Sequence, residues 1–320
     1  MTRAELYLHI LSIKGVGSKT CGLLVDRLGP EIKGVDELHS ALLEVGGTVP
    51  RFNPTEAALG GAFQKAGAIL ENASREGIHV LALGDDDYPG ILTSSGTAPL
   101  LLYCLGAVSA LAKPSCAIVG SRKAEEHSLR VAGRAAMVAA EEGLVVVSGL
   151  ALGVDTAAHR GCLDGAGVTV AVLAGGLDNI QPSSNRELAN DILRHGGALV
   201  SEYPVGTRPI AANFVKRNRI QAGLSGGVLL IQAAERSGSM VTCEHALSDG
   251  RVLGVYRPPT GFGVAYEGNE MLIGDERSVL VSNADTLQQF CRSSHAKALS
   301  LTASKSGFGS TSGAQAQFNF

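Results

Sequence analysis

Ala117-Ile118-Val119-Gly120-Ser121-Arg122 is the stretch on which the fold turns. A short apolar run ends in glycine, a hydroxyl and a guanidinium, and a helical pattern over residues 128–142 follows. These signals read as a buried strand, a tight turn and a helix. The same unit recurs downstream. Apolar runs of strand length lie at 117–119, 144–147, 168–173, 198–200, 228–231 and 252–255, separated by helical patterns at 128–142, 155–163, 184–194, 213–224 and 239–248. Near-continuous apolar strands alternating with helices imply a sheet covered on both faces. The fold class is therefore α/β, an extended Rossmann-like domain with a mostly parallel sheet.

Upstream of this domain the period is different. Residues 4–11, 18–28 and 56–75 carry apolar positions at helical spacing. Gly15-Val16-Gly17-Ser18 joins the first two as a sharp turn, in the manner of a helix-hairpin-helix or SAM-like module. That hairpin reads first as a tight helix-helix turn with Ser18 as N-cap, and second as a place where free amides meet a phosphate. Strand candidates follow at 78–83 and 100–105, with Asp85-Asp86-Asp87 between them read as a solvated turn. Residues 301–320 are rich in Ser, Gly, Ala and Gln and contain no acidic residue. Three segments result: a small helical domain over 1–75, the Rossmann-like domain over 76–290, and a low-complexity, disordered tail over 291–320.

Composition narrows the function. The 320 residues are 45% hydrophobic and 18% charged with a net charge of -3, which excludes a disordered chain and one that coats nucleic acid by bulk charge. Six cysteines, none in a CxxC pair, give no zinc site and no disulfide framework, so a reducing, cytoplasmic compartment is expected. Glu5 interrupts any signal-peptide core, and no apolar run approaches the roughly 20 residues of a membrane span. No cofactor is called for. A G-x-G-x-x-G turn is missing after the first strand, and no G-x-x-x-x-G-K-[ST] occurs.

In a parallel sheet, ligands gather where strands end. Those positions hold Gly120, Ser121 and Arg122; Ser148 and Gly149; Gly175 and Gly176; and Ser237, Gly238 and Ser239. Taken singly, each glycine reads as a strand-to-helix turn; taken together, they read as a floor of backbone amides suited to anions. Phe214 through Ile220 concentrates Lys216, Arg217 and Arg219 around an aromatic and Asn218. Cations beside a ring are the minimal platform for single-stranded nucleic acid, where arginine neutralises phosphate and the ring stacks on a base. A solvated basic helix with Phe214 in the core remains the alternative. Asp155 and His159, four apart on one helix, read as a cap and a satisfied buried histidine.

Together these motifs resemble the DNA-processing protein A family, DprA or Smf. The matching stretches are Gly15-Val16-Gly17, Tyr88-Pro89, Ala117 to Arg122, Val147 to Asp155 with Ala158-His159, Ala171 to Asp178, Ser201-Glu202-Tyr203-Pro204, Arg217 to Ile220 and Ser237-Gly238-Ser239. The resemblance implies a helical domain followed by an extended Rossmann domain that binds single-stranded DNA and forms a homodimer. It also implies a mediator without catalytic activity that protects incoming single strands and loads the RecA recombinase in natural transformation. Carried over by position, Gly120, Ser121 and Arg122 hold a phosphate, while Phe214, Lys216, Arg217, Asn218 and Arg219 form a basic pocket.

Departures are visible. Gln181-Pro182 stands where the family usually has Tyr-Pro, and Gln221 follows Ile220 where a second isoleucine is usual. Many members end in a winged helix, for which this tail is too short. Two other classes stay open. One is an enzyme related to nucleoside-monophosphate phosphoribohydrolases, with Glu244 of the Gly238–Glu244 stretch as its acid-base group. The other is a nucleotide-sensing module that kept the fold and lost DNA binding.

Overall fold

The computed structural model describes residues 1–29, 32–259 and 264–306. The chain divides into two compact units, Met1–Tyr88 with Pro99–Tyr103, and Pro89–Ala98 with Cys104 onward.

The first unit holds α1 (Arg3–Leu11), α2 (Ser18–Leu28), α3 (Val35–Glu44) and α4 (Glu56–Arg75), then strand β1 (Ile78–Ala82). A capping box opens α1: Glu5 N–H donates to Thr2 Oγ1 at 3.2 Å, and Thr2 N–H donates to Glu5 Oε2 at 2.7 Å. Gly17, not Ser18, is the N-cap of α2. Ile10, Cys21, Leu24, Leu38, Leu42, Leu59 and Phe63 form the unit's core. Strand β1 belongs to this unit rather than opening the next, because Ala82 packs with Ala4, Leu8, Ala66 and Leu101 in a second cluster. The edge of the helical unit therefore falls near Tyr88, past the expected residue 75.

A one-turn helix α5 (Gly90–Thr93) lies in the second unit, and β2 (Leu101–Gly106) carries the chain from the first unit into the second. Arg251, 4% exposed, donates to Ile91 O and Ser94 Oγ, both at 3.0 Å, which ties the α5 segment to its unit. The Rossmann-like part then alternates as the apolar runs require. Its elements are β3 (Ser115–Val119), α6 (Glu126–Glu141), β4 (Val145–Ser148), α7 (Val154–Asp164), β5 (Thr169–Val172), α8 (Arg186–Arg194) and β6 (Ala198–Ser201). They continue with α9 (Ala211–Gly223), β7 (Gly227–Leu230), α10 (Gly238–Ser248), β8 (Val252–Tyr256), α11 (Glu267–Ile273), β9 (Ser278–Val281) and α12 (Ala284–Ser306). In this unit the strand order is β6-β5-β4-β3-β7-β8-β9, and each of these neighbouring pairs is parallel. Ala117 of β3 lies opposite Val147 on one side and Val228 on the other.

This order sets the site. The chain steps from β3 through β4 and β5 to β6 on one side, then crosses to β7 on the other. The crevice at the carboxyl ends of β3 and β7 is thus a topological switch point, where ligands of open α/β sheets sit. Small residues bring the covering helices close. A Cβ on Gly161 of α7 would lie 2.1 Å from Gly133 O of α6, so the two helices cross at a contact only glycine permits.

The expected tail needs correction. Helix α12 continues past residue 291 to Ser306, with Phe290, Cys291, Ser294 and Ala298 buried at helical spacing. Its contact face is small because the strands beneath it are small: a Cβ on Gly226 would meet Ser294 O at 2.1 Å, and one on Gly254 would meet Phe290 at 2.6 Å. Residues 307–320 of the expected tail lie outside the described residues. Among the described residues no helix is long and apolar enough to cross a membrane.

Candidate functional site

A cleft of about 600 Å³ opens at the switch point. Its walls come from the turn after β3 and the N-termini of α7, α9 and α10, contributed by Ala151 and Asp155, by Ala211, Phe214 and Val215, and by Ser237, Gly238 and Ser239. First-turn amides of a helix lack intrahelical acceptors and carry the positive end of its dipole. Three such ends border this one space, with Val154, Asn213 and Met240 N–H spent on the carbonyls of Ser121, Ile210 and Ser237.

Two cations and one carboxylate line the cleft: Arg122, Arg217 and Asp155. Arg122 is exposed and lies over the Phe214 ring, with its guanidinium carbon 5.0 Å from the ring centroid. One face of that ring is therefore occupied by a cation. Arg217 is only 3% exposed and sits on the floor. Burial lowers its pKa to about 10, with Asp155 acting against that shift and Arg122 adding to it, so it stays charged at neutral pH. Asp155 accepts from Ala151 N–H at 3.3 Å. Burial raises its pKa, and the nearby Arg217 charge opposes the rise.

The sequence reading missed Gln221. This residue is 2% exposed and lines the cleft. In the amide orientation that satisfies its neighbours, its oxygen accepts from Gly149 N–H at 2.9 Å and Arg217 at 2.8 Å, while its NH₂ donates to Asn218 Oδ1 at 3.0 Å. Gln221 thus fixes the buried guanidinium. Its signal in the sequence was its place where the family usually has isoleucine, one helical turn after Arg217.

The fifteen anticipated positions separate into three groups. Gly120, Ser121, Arg122, Phe214, Arg217, Asn218, Ser237, Gly238 and Ser239 line the cleft. Gly120 must be glycine, since a Cβ would meet Val154 at 2.7 Å. Ser121 spends its amide on Gln232 O at 2.8 Å and accepts from Lys123 N–H at 3.1 Å, which leaves its hydroxyl hydrogen for a ligand. Asn218 braces the α10 turn by donating to Gly238 O at 2.8 Å. Ser237 Oγ and Arg217 Nε are enclosed with no hydrogen-bond partner among the described residues.

Ser148 and Gly149 support the cleft from behind. Ser148 is buried and donates to Ile118 O at 2.7 Å. Gly149 makes room for Arg217, whose Nη1 lies 1.6 Å from where a Cβ would be.

Four residues stand apart from the lining. Gly175 and Gly176 pack against the loop after β6, where Gly176 N–H donates to Thr207 O at 2.9 Å. Lys216 is exposed. Arg219 forms an ion pair with Glu202 and donates to Lys216 O at 3.2 Å. His159 does not pair with Asp155: its Nδ1 bonds Thr169 Oγ1 at 2.7 Å, and Nε2 has no partner among the described residues. Burial drives its pKa down to about 3, helped by Arg217.

A parallel α/β sheet with a cleft at its switch point, lined by Arg122 and Arg217, defines a Rossmann-like protein. The particular family follows from comparison with known proteins. Residues 79–292 match the model of DNA recombination-mediator protein A, and the chain belongs to that family. It is 38% identical over 209 residues to protein Smf of Escherichia coli strain K12, covering 65% of this chain and 55% of that protein. It is 38% identical over 208 residues to DNA processing protein DprA of Streptococcus pneumoniae, covering 64% of this chain and 72% of that one. The chain thus spans little more than half the length of the Escherichia coli relative. The X-ray structure of Streptococcus pneumoniae DprA superposes with a TM-score of 0.73 at 29% identity, over 90% of this chain and 98% of that one. DprA of Helicobacter pylori, solved for its single-stranded DNA binding mode, gives 0.59 at 29% identity, over 67% of this chain and 94% of that one.

Proposed function

We propose that this chain binds single-stranded DNA in the switch-point cleft and acts as a recombination mediator, protecting incoming strands and loading the RecA recombinase during natural transformation. One observation carries the reading: exposed Arg122 and recessed Arg217 share a cleft with three helix N-termini, a strongly anion-directed arrangement. Kinship with a protein described by its single-strand binding supports the choice of polymer. The residues proposed to meet the strand are Gly120, Ser121, Arg122, Phe214, Arg217, Ser237, Gly238 and Ser239. Lys216 adds an outlying charge, and Asn218, Ser148 and Gly149 hold the site in shape. Arg219 joins only by releasing Glu202, and Gly175 and Gly176 act through the neighbouring loop.

We infer binding without catalysis. The carboxylate an N-glycosidic reaction needs, Glu244, is exposed and outside the cleft lining, and the carboxylate inside it, Asp155, faces a permanent cation. The working form is taken to be a cytoplasmic homodimer, which sedimentation equilibrium checks directly.

The test is a titration of labelled oligonucleotide, single-stranded beside duplex, over a range of salt. Preference for the single strand is expected, with log affinity falling against log salt by about 0.7 per phosphate contacted. No binding at low salt overturns the proposal. RecA filament nucleation on single strands, followed with and without the chain, tests the loading step.

A further inference from the structure

Scattered apolar side chains on a surface are ordinary; their grouping beside a polar site is not. Five large hydrophobic side chains of the second unit are markedly exposed: Leu152 at 51%, Ile210 at 59%, Val215 at 48%, Met271 at 56% and Leu299 at 54%. One of the five lines the cleft and two more adjoin lining residues in the chain. Val215 lines it, Ile210 precedes the lining residue Ala211, and Leu152 follows the lining residue Ala151. Leu152 lies just before α7, Ile210 is the N-cap of α9, and Val215 lies in the second turn of α9.

We infer that Leu152, Ile210 and Val215 form an apolar rim that receives the unpaired bases of a strand whose phosphates occupy the cleft. This rests on the binding reading above. Charge complementarity commits the rim to that occupant: a chain held by its anions at Arg122 and Arg217 must place whatever is attached to those anions against the adjoining surface. In single-stranded DNA that attachment is a flat base with exposed apolar faces, whereas in duplex the faces are stacked away. Phe214 offers a base only one face, because Arg122 lies over the other. The rim thereby supplies discrimination between single strand and duplex, which the cationic floor by itself lacks.

The experiment compares oligothymidylate with an abasic deoxyribose-phosphate strand of equal length, on the full chain, across salt. Wild type is expected to prefer oligothymidylate by about tenfold or more, the scale of one base-platform contact. The double variant Leu152→Ser, Ile210→Ser should lose most of that preference while its affinity for the abasic strand and its salt slope stay unchanged. Ile210→Tyr, which needs no loss of structure to be informative, should strengthen oligothymidylate binding and leave the abasic strand alone. Equal wild-type affinity for the two strands with a normal salt slope overturns the rim and leaves the cleft standing. A double variant that keeps its full preference assigns the patch to something other than bases. Wild type that binds neither strand removes the cleft and the rim together.

Discussion

The loops after β3 and β5 look alike in sequence, each a buried strand running into glycine, yet they end in opposite environments. Gly120 leads into a cleft lined by two arginines, while Gly175 and Gly176 meet the backbone of Thr207 and Pro204. A Cβ on Gly175 would lie 2.8 Å from Thr207 O. Glycine at a strand end signals close approach by something, and the strand order decides by what. Beside β3 the connections diverge and leave a crevice; beside β5 the next crossover lies over the strand end and closes it.

The contrast gives variants whose effects on stability and binding should separate. Arg217→Ala is expected to act most strongly. It strips the buried Asp155 of its counter-charge, so urea denaturation should show a loss on the order of 3–5 kcal/mol, together with abolished DNA binding. Gly149→Ala and Gly175→Ala form the sharper pair. The first pushes the Arg217 guanidinium off its seat and should cost binding out of proportion to stability. The second meets rigid backbone and should cost about 1–3 kcal/mol with binding retained in the molecules that remain folded. Equal binding losses in both would end the distinction between the two loops. Gln221→Leu comes next: it leaves Gly149 N–H, Arg217 and Asn218 each short of a partner, for a loss of about 1–3 kcal/mol, and it should weaken binding more than any change in fold explains.

His159 offers an effect that shows only as pH falls. Its folded pKa lies near 3 against an ordinary 6.5, so the unfolded chain binds the extra proton and stability falls as pH drops from 6.5 toward 3. Asp155 works in the other direction. Its raised pKa gives stability that is present below about 3.8 and lost as pH rises through the folded value. Comparing wild type with His159→Gln isolates the histidine: denaturation midpoints across that window should flatten in the variant.

The Rossmann-like sheet was legible because its strands are covered on both faces and read as unbroken apolar runs. The cleft was legible in part: the end of β3 and the start of α10 line it with Phe214, Arg217 and Asn218, whereas the end of β5 does not. What escaped notice depends on tertiary context. Helix α12 hides because it packs on Gly226, Gly227 and Gly254 with Ser294 and Ala298 beside a single aromatic, Phe290, leaving a weak apolar pattern. Strand β9, only partly buried at three of its four positions, lacks a strong run for the same reason of thin cover. The basic segment read as one strip divides in space: helical rotation sends Arg217 inward and Lys216 outward, and Glu202 of a distant loop neutralises Arg219. Gln221 acquires its role only through the contacts it makes with Gly149 and Arg217 in space.

The central claim is that the cleft holds DNA by its phosphates. Arg122→Ala tests it most directly, because Arg122 is exposed and carries no ion pair among the described residues, so the fold should shift by no more than about 1 kcal/mol. Single-strand affinity should fall for every sequence tried, and the salt dependence should flatten by about 0.7 in log-log slope. Unchanged affinity with an unchanged slope would place the strand elsewhere on the molecule.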